Sequence, residues 1–376
     1  MKSIIKLTFF LFIVGLFFNR PNNIFIFYTT SITYIITSLL INFKHLLSTK
    51  QPYLVKRFLI FLLFSAASIL WSVEPLLSIR MVIRLFLILI LLSITYYNNK
   101  KYKLFKTLVY SLITGLFINL IVLILFKENA MDLPGRFSGT MTNANLLAII
   151  IIFIVFFYSL YEQKEKKPSA ILFTIVIGIS LIIILATGSR KGLLLGSLIT
   201  FISIRSFARR QKKYYLALLI FLPIISLYII QTGYFNNLIA IERLKESISF
   251  FNTGVGDSST KFRWSFIEIA YDIFNKNVAI GVGIDAFQHY TALGLYAHNN
   301  YLEILADLGL VGFVLYYSIY FPIIKESIKQ RKNIIFVVMI FVVLIMEVAS
   351  VNYYTRIFWI FMLFFYEQLT IQKKTI

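Results

Sequence analysis

The sequence predicts an all-α polytopic membrane protein of about twelve transmembrane helices, and three observations lead there. Hydrophobic residues fill 59% of the 376 positions and charged ones 14%, more apolar surface than a water-soluble fold of this length could bury. Apolar runs long enough to cross a bilayer, about 20 residues with allowance for tilt, recur along the chain. Lysines and arginines gather in short blocks between those runs, the mark of the positive-inside bias.

In order, the first six runs are Ile4–Phe18, Ile24–Phe43, Leu54–Trp71, Leu76–Tyr97, Phe105–Phe126 and Asn145–Tyr161. Ala170–Thr187, Gly192–Ile204, Tyr214–Gln231, His298–Ile323, Ile334–Ala349 and Tyr353–Tyr366 follow, Gly192–Ile204 being the shortest. With a cytoplasmic N-terminus, the inner side holds 24 of the 37 basic residues. Both termini are then cytoplasmic and the chain, 1–376, reads as one integral membrane domain. Lys2, Lys6 and the apolar run after them resemble a signal peptide, but no small-x-small site precedes Asn19, so the segment is read as the first span. Neither an internal repeat nor a Pro- or Ser-rich linker divides the chain.

The formal charge of +21 is accounted for by those inner blocks, which removes nucleic acid as a partner. Cysteine is absent, and His45, His289 and His298 lack metal-ligand spacing, so neither a metal nor any other cofactor is expected.

One connection is long: residues 232–297, on the outer side between the ninth and tenth spans, where a soluble-facing function would sit. Within it, Lys261, Ser265, Glu268 and Asp272 form a polar stripe at helical spacing, with Phe266, Ile267, Ile269, Ala270, Ile273 and Phe274 around the rest. That is the pattern of an interfacial helix.

Several outer residues break the apolar pattern. Arg263 falls opposite the polar stripe, so it either snorkels, pairs with a span or meets an anion. In LATGSRKGLLLG, Ser189, Arg190 and Lys191 lie at the outer ends of two spans, flanked by Gly188 and Gly192. Such a turn offers N–H groups, a hydroxyl and two cations, with structural capping as the alternative. LPGRFSGTMTNANLLA sets Arg136 in an outer loop with Asn143 and Asn145 near a helix start, where Asn143 suits a cap.

AHNNYLEILADLGLVG then opens the tenth span. His298 stands at its mouth, and Asn299, Glu303 and Asp307 share one face, Asp307 roughly 13 Å down. Intramembrane carboxylates need partners. Arg80 and Arg84, at i,i+4 spacing near the outer end of the fourth span, are the candidates, with Glu347 competing for them. Cations on one side of the membrane beside an imidazole suit a lipid-linked pyrophosphate: arginines hold the diphosphate as a glycosidic bond breaks, and His298 serves as base or orients the acceptor hydroxyl. Transfer without metal is expected, since no D-x-D-like pair is present. The G-x-G-x-x-A match at Gly281–Ala286 has no βαβ unit around it and reads as a turn.

LATGSRKGLLLG, STKFRWSFIEIAYDIF followed by AIGVGIDAF, and AHNNYLEILADLGLVG, in that order around a long outer loop, resemble the O-antigen ligase and polymerase superfamily of bacterial membrane glycosyltransferases. RFSGTMTNANLLA resembles its earlier outer-loop arginine motif. The resemblance implies a C-type glycosyltransferase fold acting on undecaprenyl-diphosphate-linked glycans at the outer face of the cytoplasmic membrane. It matches Arg190 and Arg263 to donor-pyrophosphate arginines and His298 to the catalytic histidine, and leaves Lys191 without a firm counterpart. The expected partners are that donor, a glycan or lipid A core acceptor, membrane lipids and other polysaccharide-assembly proteins. A polymerase of O-antigen, capsule or exopolysaccharide is the leading expectation; a ligase is its near alternative. A carrier of anionic solutes or lipid-linked sugars is the alternative of another class, and Asp307 is the residue that would favour it.

Overall fold

The computed structural model describes residues 1–126, 128–133, 135–165, 168–208, 258–291, 294–330 and 333–373; the ninth expected run, 214–231, and the outer loop before residue 258 lie outside them. The first five helices are α1 (Lys2–Gly15), α2 (Ile24–Ser48), α3 (Tyr53–Ala67), α4 (Pro75–Tyr102) and α5 (Phe105–Leu125). A small antiparallel hairpin, β1 (Met131–Leu133) and β2 (Arg136–Phe137), precedes α6 (Ala144–Lys164), α7 (Ala170–Ala186) and α8 (Arg190–Ala208). Then come α9 (Ser258–Lys276), α10 (Asn300–Tyr317), α11 (Phe321–Lys329), α12 (Ile334–Val348) and α13 (Arg356–Lys373).

This agrees with an all-α polytopic membrane protein. Among the described residues, seven stretches are long and apolar enough to cross a bilayer: α2, α3 with the 3-10 turn Ser68–Trp71, α4, α5, α6, α8, and α10 with α11. α7 and α12 are apolar but shorter. Two expected runs differ. The eighth is no short segment but the 19-residue α8, because Arg190 and Lys191 at its start and Arg205 in its last turn are themselves helical. The tenth is not continuous: Gly309 is non-helical within α10, and α11 begins separately with Pro322 in its first turn.

Two compact units divide the chain, one from residues 1–37 and 102–255, the other from 38–101 and 256–376. In the first, every residue of α6 from Leu147 to Leu160 is buried, as a helix apolar on all sides requires. α8 approaches it closely at Gly192, where a Cβ would run into Ala148, and approaches α7 at Gly196, where a Cβ would run into Ile184. Arg20 ties the α1–α2 corner to the chain after the hairpin, donating to the Met141 carbonyl at 3.0 Å and the Ser138 hydroxyl at 2.6 Å.

In the second unit, α10 packs on α3, α9 and α12. Phe58, Phe61, Tyr316 and Trp359 form a buried aromatic cluster with edge-on contacts of 4.8 to 5.9 Å. Glu347, expected to compete for arginines, accepts instead from the hydroxyls of Tyr316 (2.8 Å), Tyr317 (3.0 Å) and Tyr320 (2.6 Å).

The break at Gly309 is filled by the chain that links α9 to α10. Val282 and Gly283 donate to the carbonyls of Ala306 and Asp307 at 3.2 and 2.8 Å, while Leu310 and Val311 donate to those of Val278 and Ala279 at 2.9 and 3.1 Å. Backbone freed from the helix ladder thus finds partners, as buried N–H and C=O groups require. From the other side, Val73 donates to the Val282 carbonyl, Ile284 to the Ser68 hydroxyl and the Ser78 hydroxyl to the Ile284 carbonyl. The glycines of Gly281–Ala286 therefore build a strap between α10 and the α3–α4 corner, not a nucleotide turn.

Candidate functional site

Arg136, Arg190 and Lys191 belong to the first unit; Arg263, His298, Asn299, Glu303, Asp307, Arg80 and Arg84 belong to the second.

In the first unit, Gly188 turns the chain at φ 58° and Ser189 starts α8, its hydroxyl accepting the Gly192 N–H at 3.2 Å. That hydroxyl donates to Asn145 Oδ1 at 2.8 Å. The buried Arg136 donates from Nη2 to the same Asn145 oxygen at 3.2 Å and from Nε to the Thr187 carbonyl at 3.3 Å. Asn143 is the α6 cap, accepting the Asn145 N–H at 2.7 Å. One amide oxygen, on Asn145, thereby joins Arg136 to the α7–α8 turn. Arg190 and Lys191 open α8 half-buried, with no acid in its first turn. Cations at the positive end of a helix dipole are unfavourable by about 0.3–1 kcal/mol each, and an anion bound there reverses the sign.

In the second unit, Arg263 and Phe266 lie one turn apart on α9. The Phe266 ring lies nearly parallel to the His298 imidazole with centroids 6.1 Å apart, and Tyr296 approaches the imidazole at 4.2 Å. Burial pushes the Tyr296 phenol above its ordinary range; Glu303 adds to this and Arg263 opposes it, so all three groups lie within electrostatic reach. His298 itself is in the left-handed region at φ 55°, which costs a side-chain-bearing residue roughly 1–2 kcal/mol. Both neighbours hold it there. Glu303 Oε2 accepts the Ala297 N–H at 2.7 Å, and Asn299 Oδ1 caps α10 by accepting from Tyr301 and Leu302 at 3.0 and 3.2 Å.

α9 buries Phe266, Ala270 and Ile273 against Val282, Phe287, Ala297 and Ala306, and exposes Trp264, Glu268, Tyr271 and Asp272. This is the amphipathic division the sequence predicts, with the apolar side covered by the strap and α10.

The arginines expected to neutralise the α10 carboxylates do not do so. Asp307 is fully buried and accepts the N–H groups of Asp285 (2.8 Å) and Phe287 (2.7 Å), capping the 3-10 turn Ala286–Tyr290. Nearby amides were closer at hand than any guanidinium, because the strap lies against this face of α10. Arg84 instead stands over the Tyr354 ring at 5.2 Å and faces Asp285. Asp285, buried at φ 64°, accepts from Gln288 Nε2 at 2.5 Å. Burial raises its carboxyl to about 6, against the opposing pull of Gln288 and Arg84.

Sequence reasoning missed Tyr296, Asp285 and the bridging role of Asn145. Asn145 follows a capping residue closely enough to pass for part of the cap, Asp285 is hidden in the glycine-rich match, and Tyr296 carries no motif signal. Residues 175–317 match a family described as O-antigen ligase. The match supports the resemblance to the O-antigen ligase and polymerase superfamily, and it spans Arg190, Lys191, Arg263, His298, Glu303 and Asp307. No curated protein matches the chain.

Proposed function

We propose, on the O-antigen ligase signature carried by residues 175–317, that this protein is a bacterial membrane glycosyltransferase. It transfers glycan from an undecaprenyl-diphosphate-linked donor to a sugar hydroxyl at the outer face of the cytoplasmic membrane, as a polymerase of O-antigen, capsule or exopolysaccharide. The observation that carries the reading is the imidazole of His298, held in an unfavourable backbone conformation beside Arg263 by Glu303 and Asn299. Conformational cost kept in place by hydrogen bonds on both sides is characteristic of a working group.

In the reaction, the acceptor oxygen bonds to the donor's anomeric carbon as the bond from that carbon to the phosphate oxygen breaks. The departing diphosphate takes the electron pair and gains negative charge, so a guanidinium bound to it, for which Arg190 and Arg263 are the candidates, grips it more tightly than it grips the intact donor. Lys191 adds a point charge, and Arg136 holds the α7–α8 turn through Asn145. His298 accepts the acceptor's proton. Asn299, Glu303 and Asp307 act by position. Activity in the presence of chelator is the expected result, and its loss would reject the metal-free course.

Transfer to lipid A core is the second reading, favoured by the description of the matching family itself. Incubation of the purified protein with lipid-linked repeat units decides between them. Elongated lipid-linked glycan is the polymerase result, transfer only to lipid A core the ligase result, and no new glycosidic bond would reject both in favour of a carrier.

A further inference from the structure

Arg80 and Arg84, freed from the carboxylates expected to hold them, are both exposed on α4. They lie about 8 and 13 Å along that helix from Pro75 at 1.5 Å per residue. No charged residue follows until Lys100, about 24 Å further on. That interval is shorter than the roughly 30 Å hydrocarbon core, so Arg84 lies at or inside its edge, where a cation without an anion is costly. Among the described residues, Arg80 has no hydrogen bond or ion pair, and Arg84 has the Tyr354 ring and the charge of Asp285. One acid against two guanidinium groups leaves a cationic excess.

The site is built rather than incidental. Tyr354 orients Arg84 from one face. Tyr354 also lies within electrostatic reach of Tyr296 and Glu303, the groups beside His298. Two arginines one helical turn apart match the spacing of a diphosphate's oxygens through paired N–H donors.

We propose that Arg80 and Arg84 form a second lipid-diphosphate site, which holds the acceptor's carrier lipid while its sugar reaches His298. The proposal rests on the glycosyl-transfer reading above and adds the acceptor's lipid to it. A polymerase needs two such sites, since both its substrates hang from diphosphates; a ligase needs one.

The test uses the full chain in detergent with undecaprenyl diphosphate, carrying no sugar, as the probe, counted by native mass spectrometry. Two bound molecules are expected, with R80Q/R84Q reducing the count by one or weakening one site at least about tenfold, the loss of one charge-assisted contact. R190Q should remove the other. An unchanged count in R80Q/R84Q overturns the site, as does displacement of its ligand by equimolar phosphatidylglycerol, the mark of a general anionic-lipid surface, or by inorganic pyrophosphate, the mark of a free-phosphate site. If the wild type binds a single molecule that R80Q/R84Q abolishes, this site stands and the donor assignment of Arg190 falls. Should R80Q/R84Q not fold, D285N, which removes the acid facing Arg84, is expected to tighten binding, and no change or weakening would overturn the site. For the acceptor role, R80Q/R84Q should lose transfer to a lipid-linked acceptor and keep transfer to a soluble oligosaccharide. Equal loss on both overturns that assignment.

Discussion

The Asp307 carboxylate receives the N–H of Phe287 at 2.7 Å, and its other oxygen receives that of Asp285 at 2.8 Å. A side chain about halfway along α10 thus acts as the cap of a turn some twenty residues earlier in the chain, and locks the strap against the helix that follows His298. D307A leaves two buried amides without acceptors, at a cost on the order of 3 kcal/mol, whereas D307N keeps one acceptor oxygen and loses less. Thermal unfolding in detergent should rank wild type above D307N above D307A, with protease cleavage in 278–290 rising in the same order. Equal melting of D307A and wild type would remove the strap from the account.

Gly309 is the other half of that joint. Its φ of 62° and ψ of −165° suit glycine alone, and a Cβ would collide with the backbone of Ala279. G309A is expected to destabilise by at least as much as D307A and to yield little folded protein. Normal yield and melting of G309A would show that a continuous helix serves equally well.

Asp285 supplies a pH dependence with a definite sign. Its carboxyl stands at about 6 in the fold against an ordinary 3.8, so between those values the folded chain keeps a proton the unfolded chain has shed. Stability therefore falls as pH rises through that window, and above it the ionised group costs about 3 kcal/mol at 1.36 kcal/mol per unit. D285N keeps an acceptor for Gln288, and asparagine tolerates the left-handed backbone that Asp285 adopts. The variant should melt higher than wild type at pH 7.5 and equally at pH 4. A gap that persists at pH 4 would assign the gain to something other than ionisation.

The same backbone logic chooses the variant at His298. With φ at 55°, alanine there confounds lost chemistry with strain, while asparagine keeps the turn and removes the proton acceptor. H298N is expected to fold and melt as wild type and to lose at least a hundredfold in glycan transfer, the lower range for general-base catalysis. Transfer by H298N within a few-fold of wild type would leave the imidazole an orienting or structural part.

Helices and their order were legible because bilayer crossing demands long apolar runs, and α2 to α7 begin and end close to the expected limits. Local chemistry was legible as well: Asn143 caps α6, and Glu303 and Asp307 are buried. Pairing was not. Asp307 and Glu347 were each expected to seek arginine, yet one meets backbone amides of a strap and the other three tyrosines, and periodicity carries no information about which distant segment lies alongside. The break at Gly309 escaped notice for the same reason, since one glycine in an apolar run signals nothing until the strap that fills it is known.

Asn145 shows what a single bridging oxygen controls. Its Oδ1 accepts from Arg136 and from Ser189, so the arginine of one loop and the turn that presents Arg190 are fixed by one acceptor. N145L removes that acceptor while keeping the branching of the side chain and leaves the Arg136 guanidinium and the Ser189 hydroxyl without it, a loss of about 1–3 kcal/mol. N145D keeps the oxygen and adds a charge that competes with a phosphate for the same cations. If the turn binds the donor diphosphate, both variants should raise the donor's KM while leaving kcat nearly intact, and added salt should narrow the gap between N145D and wild type but not that of N145L. A fall in kcat at unchanged KM in both would place this turn in the chemistry of the transfer rather than in donor binding.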